Sequence, residues 1–288
     1  MALAFARARR SVVIIGGGRP RNAPARAALK GINPLGLLAR GRSDAAIYGA
    51  EFISSQIAES VVTGDGFRVA VDHGRVILAR KLLIATGVIE ELPDFVGLRE
   101  RWGRDVVHGQ YCHGWEIRGK KIGLLATGPM SAMQALLFRQ WSDFVQFFTQ
   151  GLEFSAEELA AVGIRIATEA IAGVEVSDDR LVGVDLQDGK FIDLDALAVS
   201  SLTRARIDGF EKLGLEADIN AAGTTLVADA LGHTSVPGVW GAGNVVNSGV
   251  QVSEAAGSGA RVAMTINTEL VFEDADRAVE QTRTTGQG

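Results

Sequence analysis

Residues Val236 to Val245 read VPGVWGAGNV, and a run rich in Ala, Gly and Ser follows them from Gln251 to Val262. This order predicts a short apolar strand, a Gly-x-Gly turn, a polar loop and then a helix. Small residues at a strand-to-helix junction let backbone N–H groups approach a ligand closely, and the start of the helix adds positive potential there. The stretch therefore favours an α/β fold with a binding turn, and a tight turn without a ligand is the alternative.

Length and composition describe a globular protein with room for two domains. The chain has 288 residues, of which 47% are hydrophobic and 22% are charged. Its net charge of -5 gives no electrostatic case for nucleic acid or an anionic membrane as a partner. No apolar run reaches the ~18 residues of a membrane span. The single cysteine excludes an internal disulfide and, with an N-terminus that has no signal-peptide pattern, favours the cytoplasm.

A strand and a glycine turn occur together at two places in the chain. The β-branched run from Ser11 to Ile15 ends in three glycines, and the apolar run from Lys121 to Leu125 leads into a second glycine-containing turn. This repeat predicts an α/β fold with two Rossmann-like nucleotide-binding domains in three layers, the second inserted in the first. We place the first domain at residues 1–108 and 206–288 and the second at residues 109–205.

The turn of the second repeat matches the dinucleotide fingerprint in part. Where that fingerprint has G-x-G-x-x-G/A, residues 126–131 have A-x-G-x-x-S, so Gly128 and Ser131 stand at its second and third glycine positions. The next strand ends at Thr149-Gln150 without an acidic residue for a ribose or an arginine for its phosphate. A nicotinamide site agrees with this pattern, and so does a unit that keeps the shape and binds nicotinamide weakly or not at all.

Several local patterns predict further details. Ser155 and Glu158 have the spacing of a capping box at the start of a helix. The C-terminal helix is expected from Ser253 to about Phe272, followed by a frayed polar tail. His73 and His233 lie in predicted turns and are expected to be solvated. The acidic residues show no metal-ligand spacing, so no metal site is expected.

The only cysteine lies in the segment HGQYCHGWE, residues 108–116. A lone cysteine is usually a small buried hydrophobe. Cys112, however, stands beside His113 in a segment flanked by glycines, which favours exposure of the side chain. The pattern therefore makes Cys112 a candidate for a reactive thiol.

These segments, in this order over residues 2–270, resemble the thioredoxin-reductase-like FAD/NAD(P)-dependent pyridine nucleotide-disulfide oxidoreductases. One branch of that family carries Cys-x-x-Cys-His/Asp-Gly, and residues 111–116 resemble the second half of that motif, with Gly109 in place of its first cysteine. The resemblance implies that Cys112 is the thiol that faces the flavin and that His113 is the acid/base residue. Because the other thiol is missing, a dithiol–disulfide relay to thioredoxin is not possible on this chain.

The same resemblance implies two cofactor sites, one in each domain. NAD(P)H would be bound in the second domain through Gly128 and Ser131. FAD would be bound in the first domain through Gly17, Arg21, Asn22, Thr86, Gly87, Gly243, Asn244, Gln251 and Val252.

The N-terminus departs from the family pattern. Residues 2–10 resemble the end of the family's first helix, so that roughly twenty residues of its ~30-residue FAD motif are absent. On this register Gly16 stands where an acidic residue would hold the adenosine ribose, and the parallel sheet lacks its central member. The competing interpretation takes residues 12–18 as the FAD fingerprint itself, with the spacing Gly16-x-Gly18-x-x-Arg21.

The function that follows from the resemblance is a FAD-dependent NAD(P)H oxidoreductase without a complete redox dithiol. Its electrons would pass to a small molecule or to a thiol or disulfide, in a homodimer without nucleic-acid or membrane partners. The alternative is a truncated, non-catalytic relative that acts as a binding or regulatory module. A start codon set too far downstream is a third interpretation of the N-terminus.

Overall fold

The computed structural model describes residues 1–17, 33–199, 201–220 and 223–285. Contacts between residues divide the chain into two compact units. The first unit comprises Met1–Ile89, Ala205–Ile219 and Thr224–Gly288, and the second comprises Glu90–Arg204 and Asn220–Gly223.

The described chain combines α-helices with strands, and in two long stretches the strands follow one another without an α-helix between them. The helices are α1 (Ala2–Arg7), α2 (Pro34–Ala46), α3 (Leu98–Arg101), α4 (Gln110–His113), α5 (Ser131–Phe138), α6 (Ala156–Ala161) and α7 (Val252–Thr285). The strands are β1 (Val13–Ile15), β2 (Glu51–Ile53), β3 (Ile57–Thr63), β4 (Gly66–Val71), β5 (Val76–Ala79), β6 (Leu82–Ile84), β7 (Val88–Glu91), β8 (Val106–Val107), β9 (Ile122–Leu125), β10 (Val145–Phe148), β11 (Arg165–Ala167), β12 (Ile171–Ser177), β13 (Arg180–Leu186), β14 (Phe191–Asp193), β15 (Ala196–Val199), β16 (Leu202–Ala205), β17 (Ala217–Asn220), β18 (Gly223–Leu226) and β19 (Val239–Gly241).

The parallel strands of the first unit form two separate pairs. Strand β1 lies parallel to β2, with Val13 opposite Glu51, and β6 lies parallel to β19, with Leu82 opposite Val239. Among the described residues, β1 pairs only with β2 and β6 only with β19. No described strand lies between the two pairs to join them by hydrogen bonds. An antiparallel meander, β3-β4-β5, completes the strands that lie wholly in this unit.

Helix α1 packs between the two strand pairs of the first unit. Phe5 lies in an apolar cluster with Trp240 of β19 and Ile266 of α7, and this cluster also contacts Val12 and Leu83. The next residue of α1, Ala6, packs instead against Ala45 and Ala50 beside β1 and β2. Apolar contacts from one short helix therefore reach both pairs of strands.

Helix α7 is longer than the sequence pattern predicts. It buries Val262, Ile266 and Leu270 at helical spacing and continues without a break to Thr285. The expected end near Phe272 is wrong, because residues 275–281 include two alanines, Glu280 and Gln281, which favour a helix even when exposed.

Ion pairs fix the middle of α7 to the strands. Arg80 lies 2.7 Å from Glu273 and 2.6 Å from Asp274, which also pairs with Arg10 at 2.6 Å, and Lys81 contacts Glu273 as well. The network joins the residues just before β6 and the residue Arg10 before β1 to helix α7. It therefore supports the packing described for α1.

The second unit is a three-layer α/β structure. Its parallel sheet has the order β11-β10-β9-β15-β8. All residues of β9 and β15 are buried, as in parallel strands that are covered on both faces. One face packs on α5 and α6 through Phe138 and Leu159, and the other packs on the β12-β13-β14 meander through Val174 and Val184. A further sheet, β17-β18-β16-β7, contains segments at which the chain passes between the units.

A buried arginine joins helix α3 to the meander of the second unit. Arg101 donates to both carboxylate oxygens of Asp105 and to Asp179, which lies in the turn between β12 and β13. These hydrogen bonds raise the pKa of Arg101, and Arg101 in turn lowers the pKa of Asp105 against the effect of burial. The buried charge is thus fully paired, which keeps its burial from being costly.

The predicted capping box at Ser155 can be checked directly in this fold. Ser155 does precede α6, but its side chain makes no capping hydrogen bond, so the expected capping box is wrong. No helix in the described ranges is long and apolar enough to cross a membrane. The described residues also contain no group of three or more His, Cys, Asp or Glu side chains placed to hold a metal ion.

His233 is partly exposed after the 229–232 turn, but its ring is also held by two carboxylates, which the sequence does not predict. Its Nδ1 lies 2.9 Å from Asp229 and its Nε2 lies 2.7 Å from Glu269 of α7, while its ring lies 5.6 Å from the ring of Trp240. Hydrogen bonds to Glu269 and to Asp229 raise the pKa of His233 above its usual value of 6.5. Asp229 begins the turn just before His233, whereas Glu269 reaches the ring only because α7 packs against this turn. The local sequence does not show this second contact.

The His233→Gln variant tests this clamp through the pH dependence of stability. Since the folded state raises the pKa of His233, its stabilising effect is fully present below the unfolded pKa and is lost as pH rises through the folded pKa. We expect wild type to exceed the variant in free energy of unfolding by more at pH 5.5 than at pH 9, measured by urea denaturation. His73→Asn, in the exposed turn Asp72–Gly74, is the control. A difference that is equal at both pH values would contradict the clamp.

Candidate functional site

A cleft of about 460 Å³ lies at the ends of β1 and β6 in the first unit. Gly16 and Gly17, which follow β1, lie along one side, and Ala85 and Thr86, which follow β6, lie along the other. Arg42 of α2 also lines it. Each of these strands belongs to a parallel pair, and the usual ligand position in open α/β sheets is outside the carboxyl ends of such strands.

The two glycines make close backbone approaches possible at this cleft. A Cβ atom on Gly17 would lie 2.6 Å from the Gln56 Oε1 atom and 2.9 Å from the Ser55 carbonyl oxygen, so a larger residue would displace the 55–56 segment. A Cβ atom on Gly16 would lie 3.3 Å from an Nη atom of Arg42. The chain therefore packs tightly against both glycines and places a guanidinium beside Gly16.

The turn after β6 is tied to a neighbouring segment of the same unit. The Thr86 hydroxyl donates a hydrogen bond to the Arg206 carbonyl oxygen, and the Arg206 N–H donates to the Gly87 carbonyl oxygen at 3.0 Å. Gly87 has a φ of 75°, which favours glycine, and a Cβ atom there would meet only open space. Thr86 thus shapes the wall of the cleft, and Gly87 leaves it accessible.

The Gly-x-Gly stretch, residues 241–243, forms a second turn of this unit, between β19 and α7. Gly243 has a φ of 75°, and its N–H donates to the Ser258 hydroxyl of α7 at 3.2 Å. The side-chain amide of Asn244 donates to the carbonyl oxygens of Ser248 and Val250, at 3.0 and 3.1 Å. An aspartate in place of Asn244 could not donate these bonds, so the amide is suited to fixing the loop that leads into α7.

The remaining expected FAD residues fall into two groups. Gln251 immediately precedes α7 and Val252 is its first residue, directly after the loop that Asn244 fixes. Arg21 and Asn22 lie outside the described residues, as does Gly18 of the competing fingerprint. The described members, Gly17, Thr86, Gly87, Gly243, Asn244, Gln251 and Val252, all belong to the first unit.

The glycine turn of the second unit is closed by its own serine. Ser131 is fully buried at the start of α5, and its hydroxyl accepts hydrogen bonds from the Thr127 and Gly128 N–H groups at 3.1 and 3.3 Å. A Cβ atom on Gly128 would meet nothing within 4 Å, so the backbone there stays open to a ligand. The turn therefore offers space, while Ser131 satisfies two of its donors.

Gln150 lies at the same edge of this sheet, just after β10. It has a φ of 52°, and its side-chain Nε2 atom is buried without a hydrogen-bond partner in the described part of the chain. The carboxyl ends of β9 and β10 are adjacent because these strands pair in parallel. The amide is a donor placed where the fold usually recognises a ribose.

The cysteine segment forms the short helix α4. Cys112 is exposed and is not in a disulfide. The Nδ1 atom of His113 is buried and has no hydrogen-bond partner among the described residues, and burial lowers the pKa of His113 by disfavouring the charged ring. The imidazole is therefore a neutral proton acceptor at neutral pH, and it does not supply a fixed positive charge to the thiol.

Comparison with known proteins identifies the family. The family model for pyridine nucleotide-disulphide oxidoreductases matches residues 137–260. Thioredoxin reductase tcpT of Claviceps purpurea is 30% identical over 296 residues, which cover 94% of this chain and 90% of that protein. The chain belongs to the thioredoxin-reductase-like pyridine nucleotide-disulphide oxidoreductases.

Solved structures agree with this family. HlmI is similar with a TM-score of 0.91 and 38% identity, over 99% of this chain and 92% of that chain. An oxidoreductase from Agrobacterium tumefaciens has a TM-score of 0.86 at 32% identity, over 94% of both chains. The family and the α/β class predicted from the sequence are confirmed, and this thioredoxin-reductase-like chain is an oxidoreductase by descent.

Sequence reasoning missed two residues of this thioredoxin-reductase-like chain. Arg42 was hidden within a helix pattern that carries several charged residues, and only its proximity to Gly16 distinguishes it. Gln150 follows a strand whose end carries no charged residue, so a search for charged residues passes over it. Its neutral amide, which can donate a hydrogen bond, is the signal that could have identified it. Both residues are polar groups aimed at the end of a parallel strand.

The Gly109→Cys variant tests whether the helix α4 still has the geometry of a dithiol site. Gly109 precedes α4, and a Cβ atom there would meet nothing within 4 Å, so the substitution is sterically allowed. We expect the oxidised variant to have no titratable thiol after denaturation, and two after reduction. Gly109→Ser is the control and should keep the single thiol of wild type. One or two free thiols in the oxidised Cys variant would show that the segment has lost that geometry.

Proposed function

We propose that the protein is a FAD-dependent oxidoreductase that takes hydride from NAD(P)H. The observation that carries this proposal is the glycine-lined cleft of the first unit, where Gly17 and Thr86 face each other at the ends of β1 and β6. Open backbone at the end of parallel strands suits a dinucleotide, whose phosphates need close approach of N–H groups.

The residues of the first unit fit a flavin dinucleotide. Gly17 lines the cleft at a point where a Cβ atom would collide with Ser55 and Gln56, so only glycine fits there. Gly87 and Gly243 have positive φ angles, which favour glycine in their turns. We assign the cleft to the adenosine and phosphate part of FAD, and the Gly243 turn with Asn244, Gln251 and Val252 to the rest of the molecule. When bound, the flavin supplies a ring that accepts two electrons and releases them to a second substrate.

The nicotinamide substrate fits the second unit. Gly128 leaves open backbone beside the start of α5, and Gln150 offers an unsatisfied donor for a ribose hydroxyl. Ser131 orders the turn from within, which replaces the helix-facing glycine of the usual fingerprint. The nicotinamide gives up hydride, that is two electrons and a proton, and leaves as the oxidised dinucleotide.

The electron acceptor is a small molecule or an external thiol or disulfide. One cysteine cannot form an internal disulfide, so Cys112 at most exchanges with a sulfur of another molecule. We assign His113, the next residue in the chain, as the acid/base residue of this step, since burial keeps its imidazole neutral. The activity therefore differs from a thioredoxin reductase that relays electrons through its own dithiol.

We further propose that the enzyme works in the cytoplasm as a homodimer. The single cysteine suits a reducing compartment. Helix α7 exposes Val271 and Phe272, an apolar surface that a second copy would remove from water. Sedimentation equilibrium tests the dimer, and a monomer at all concentrations would reject it.

Fractionation of cells that express the native chain tests the proposed compartment. Recovery of the chain outside the cytoplasmic fraction would reject the cytoplasmic location.

The visible spectrum of the purified protein tests the main proposal. We expect a flavin spectrum after addition of FAD and gel filtration, and bleaching of it under anaerobic conditions by NADH or NADPH. The nucleotide that bleaches faster identifies the donor. A protein that retains no flavin with FAD in excess would reject the oxidoreductase proposal and leave the non-catalytic relative, which no observation here favours.

The Gln150→Ala variant tests the nicotinamide site. Because the amide would bind a ribose hydroxyl in both ground and transition states, its loss should raise KM for NAD(P)H by about fivefold to tenfold with kcat nearly unchanged, as expected for one hydrogen bond. Gln140→Ala, at an exposed position near the end of α5, is the control. An unchanged KM in the Gln150 variant would remove Gln150 from the site.

A further inference from the structure

The charge at the end of β1 is opposite to the charge that a ribose site needs. In nucleotide-binding folds of this kind, an acidic residue near the end of the second strand accepts hydrogen bonds from ribose hydroxyls, and an arginine near it accommodates a phosphate. Here the strand ends in Gly16, and the guanidinium of Arg42 lies 3.3 Å from the point where a Gly16 Cβ atom would be. In place of a carboxylate, the chain thus has a glycine with a positive charge close beside it.

Arg42 is held at this place by its own helix and by an aromatic ring. It projects from α2, and its guanidinium carbon lies 5.9 Å from the centre of the Phe52 ring on β2. Within the described ranges no carboxylate pairs with Arg42, in contrast to Arg80 and Arg101, which are each paired with two acidic residues. A stacked, exposed guanidinium without a carboxylate is suited to bind an anion.

The remaining charges that line the cleft do not cancel this one. Arg206 and Asp208 lie in the lining as well, one positive and one negative. The described side chains of the cleft therefore give an excess of one positive charge, which Arg42 places at the Gly16 end. A guanidinium can donate two parallel hydrogen bonds to phosphate oxygens, and it has no acceptor for a sugar hydroxyl.

We infer that Arg42, beside Gly16 at the end of β1, forms a binding site for a phosphate group of an adenine nucleotide. The site recognises phosphate where the fold more often recognises ribose hydroxyls. The phosphate belongs either to the diphosphate of the nucleotide or to its ribose, and both sources have the same chemistry at Arg42. The inference rests on the proposed nucleotide role of this cleft.

Titration calorimetry with the full chain tests the inference. Adenosine, ADP, 2′-AMP and FAD are titrated into wild type and into the Arg42→Ala variant. We expect Arg42→Ala to weaken ADP or 2′-AMP by about tenfold, as for loss of a charge-assisted hydrogen bond at an exposed site, and to leave adenosine unchanged. The weakened ligand identifies which phosphate Arg42 holds.

Two further variants separate phosphate recognition from general damage. Gly16→Asp places a carboxylate beside Arg42, so it should weaken the same nucleotide at least as much as Arg42→Ala while both proteins keep the wild-type circular dichroism spectrum. Arg40→Ala removes an equal charge from an exposed position on the same helix and should bind all four ligands as wild type does. Wild-type affinity should also fall more steeply with salt than that of Arg42→Ala.

The outcomes distinguish this inference from the proposed function. The inference would be overturned if Arg42→Ala bound both ADP and 2′-AMP with wild-type affinity. It would also be overturned if wild type bound neither nucleotide, or if Arg42→Ala lost as much affinity for adenosine as for the nucleotides. If FAD still binds in the first of these cases, the proposed function stands without the inference. If ADP binds in an Arg42-dependent manner and FAD does not bind, the inference stands and the proposed function fails.

Discussion

The first unit depends on the apolar cluster around Phe5. Strands β1 and β6 share no hydrogen bonds with each other in the described structure, so no continuous ladder joins the two strand pairs. Phe5 is 9% exposed and packs with Trp240, Ile266 and Leu270, and the same cluster contacts Val12 before β1 and Leu83 in β6. Burial of such a side chain contributes about 1.5–3 kcal/mol, which is large against the net stability of a domain. Apolar packing thus does what strand pairing does in a continuous sheet.

The cleft follows from the same constraint. Because β1 and β6 end near each other without being paired, the space between Gly16, Gly17 and Thr86 stays open. Ion pairs from Arg80 and Arg10 to the middle of α7 support the packing that keeps it so. The gap between the two strand pairs is therefore also the place where Arg42 lies beside the end of β1.

The two glycine turns of this oxidoreductase are stabilised in different ways. In the second unit Ser131 accepts hydrogen bonds from the turn itself, whereas in the first unit Gly243 donates to Ser258 and Asn244 donates to its own loop. In each case a short polar side chain orders a turn that is rich in small residues. The thiol segment differs from both turns, because its short side chain, Cys112, is exposed. Its neighbour His113 is buried and uncharged at neutral pH.

The sequence by itself determined the α/β class, the family, the helix before β1 and the lack of a second thiol. These features depend on short sequence patterns, such as apolar runs that end in glycine and a Cys-His-Gly segment. Such patterns can be read from the sequence without knowledge of long-range contacts. The ends of elements were less certain, as α7 and the Ser155 cap show, because exposed helical residues and cap bonds differ by small free energies.

Only the tertiary structure decided the partners of side chains far apart in sequence. His233 meets Glu269 across 36 residues, and Arg42 reaches Gly16 because α2 packs against β1 and β2 through Ala45. Such contacts depend on how one element lies on another, and no spacing rule encodes them. For this reason the sequence could identify the glycine at the end of β1, while the positive charge beside it came from the fold.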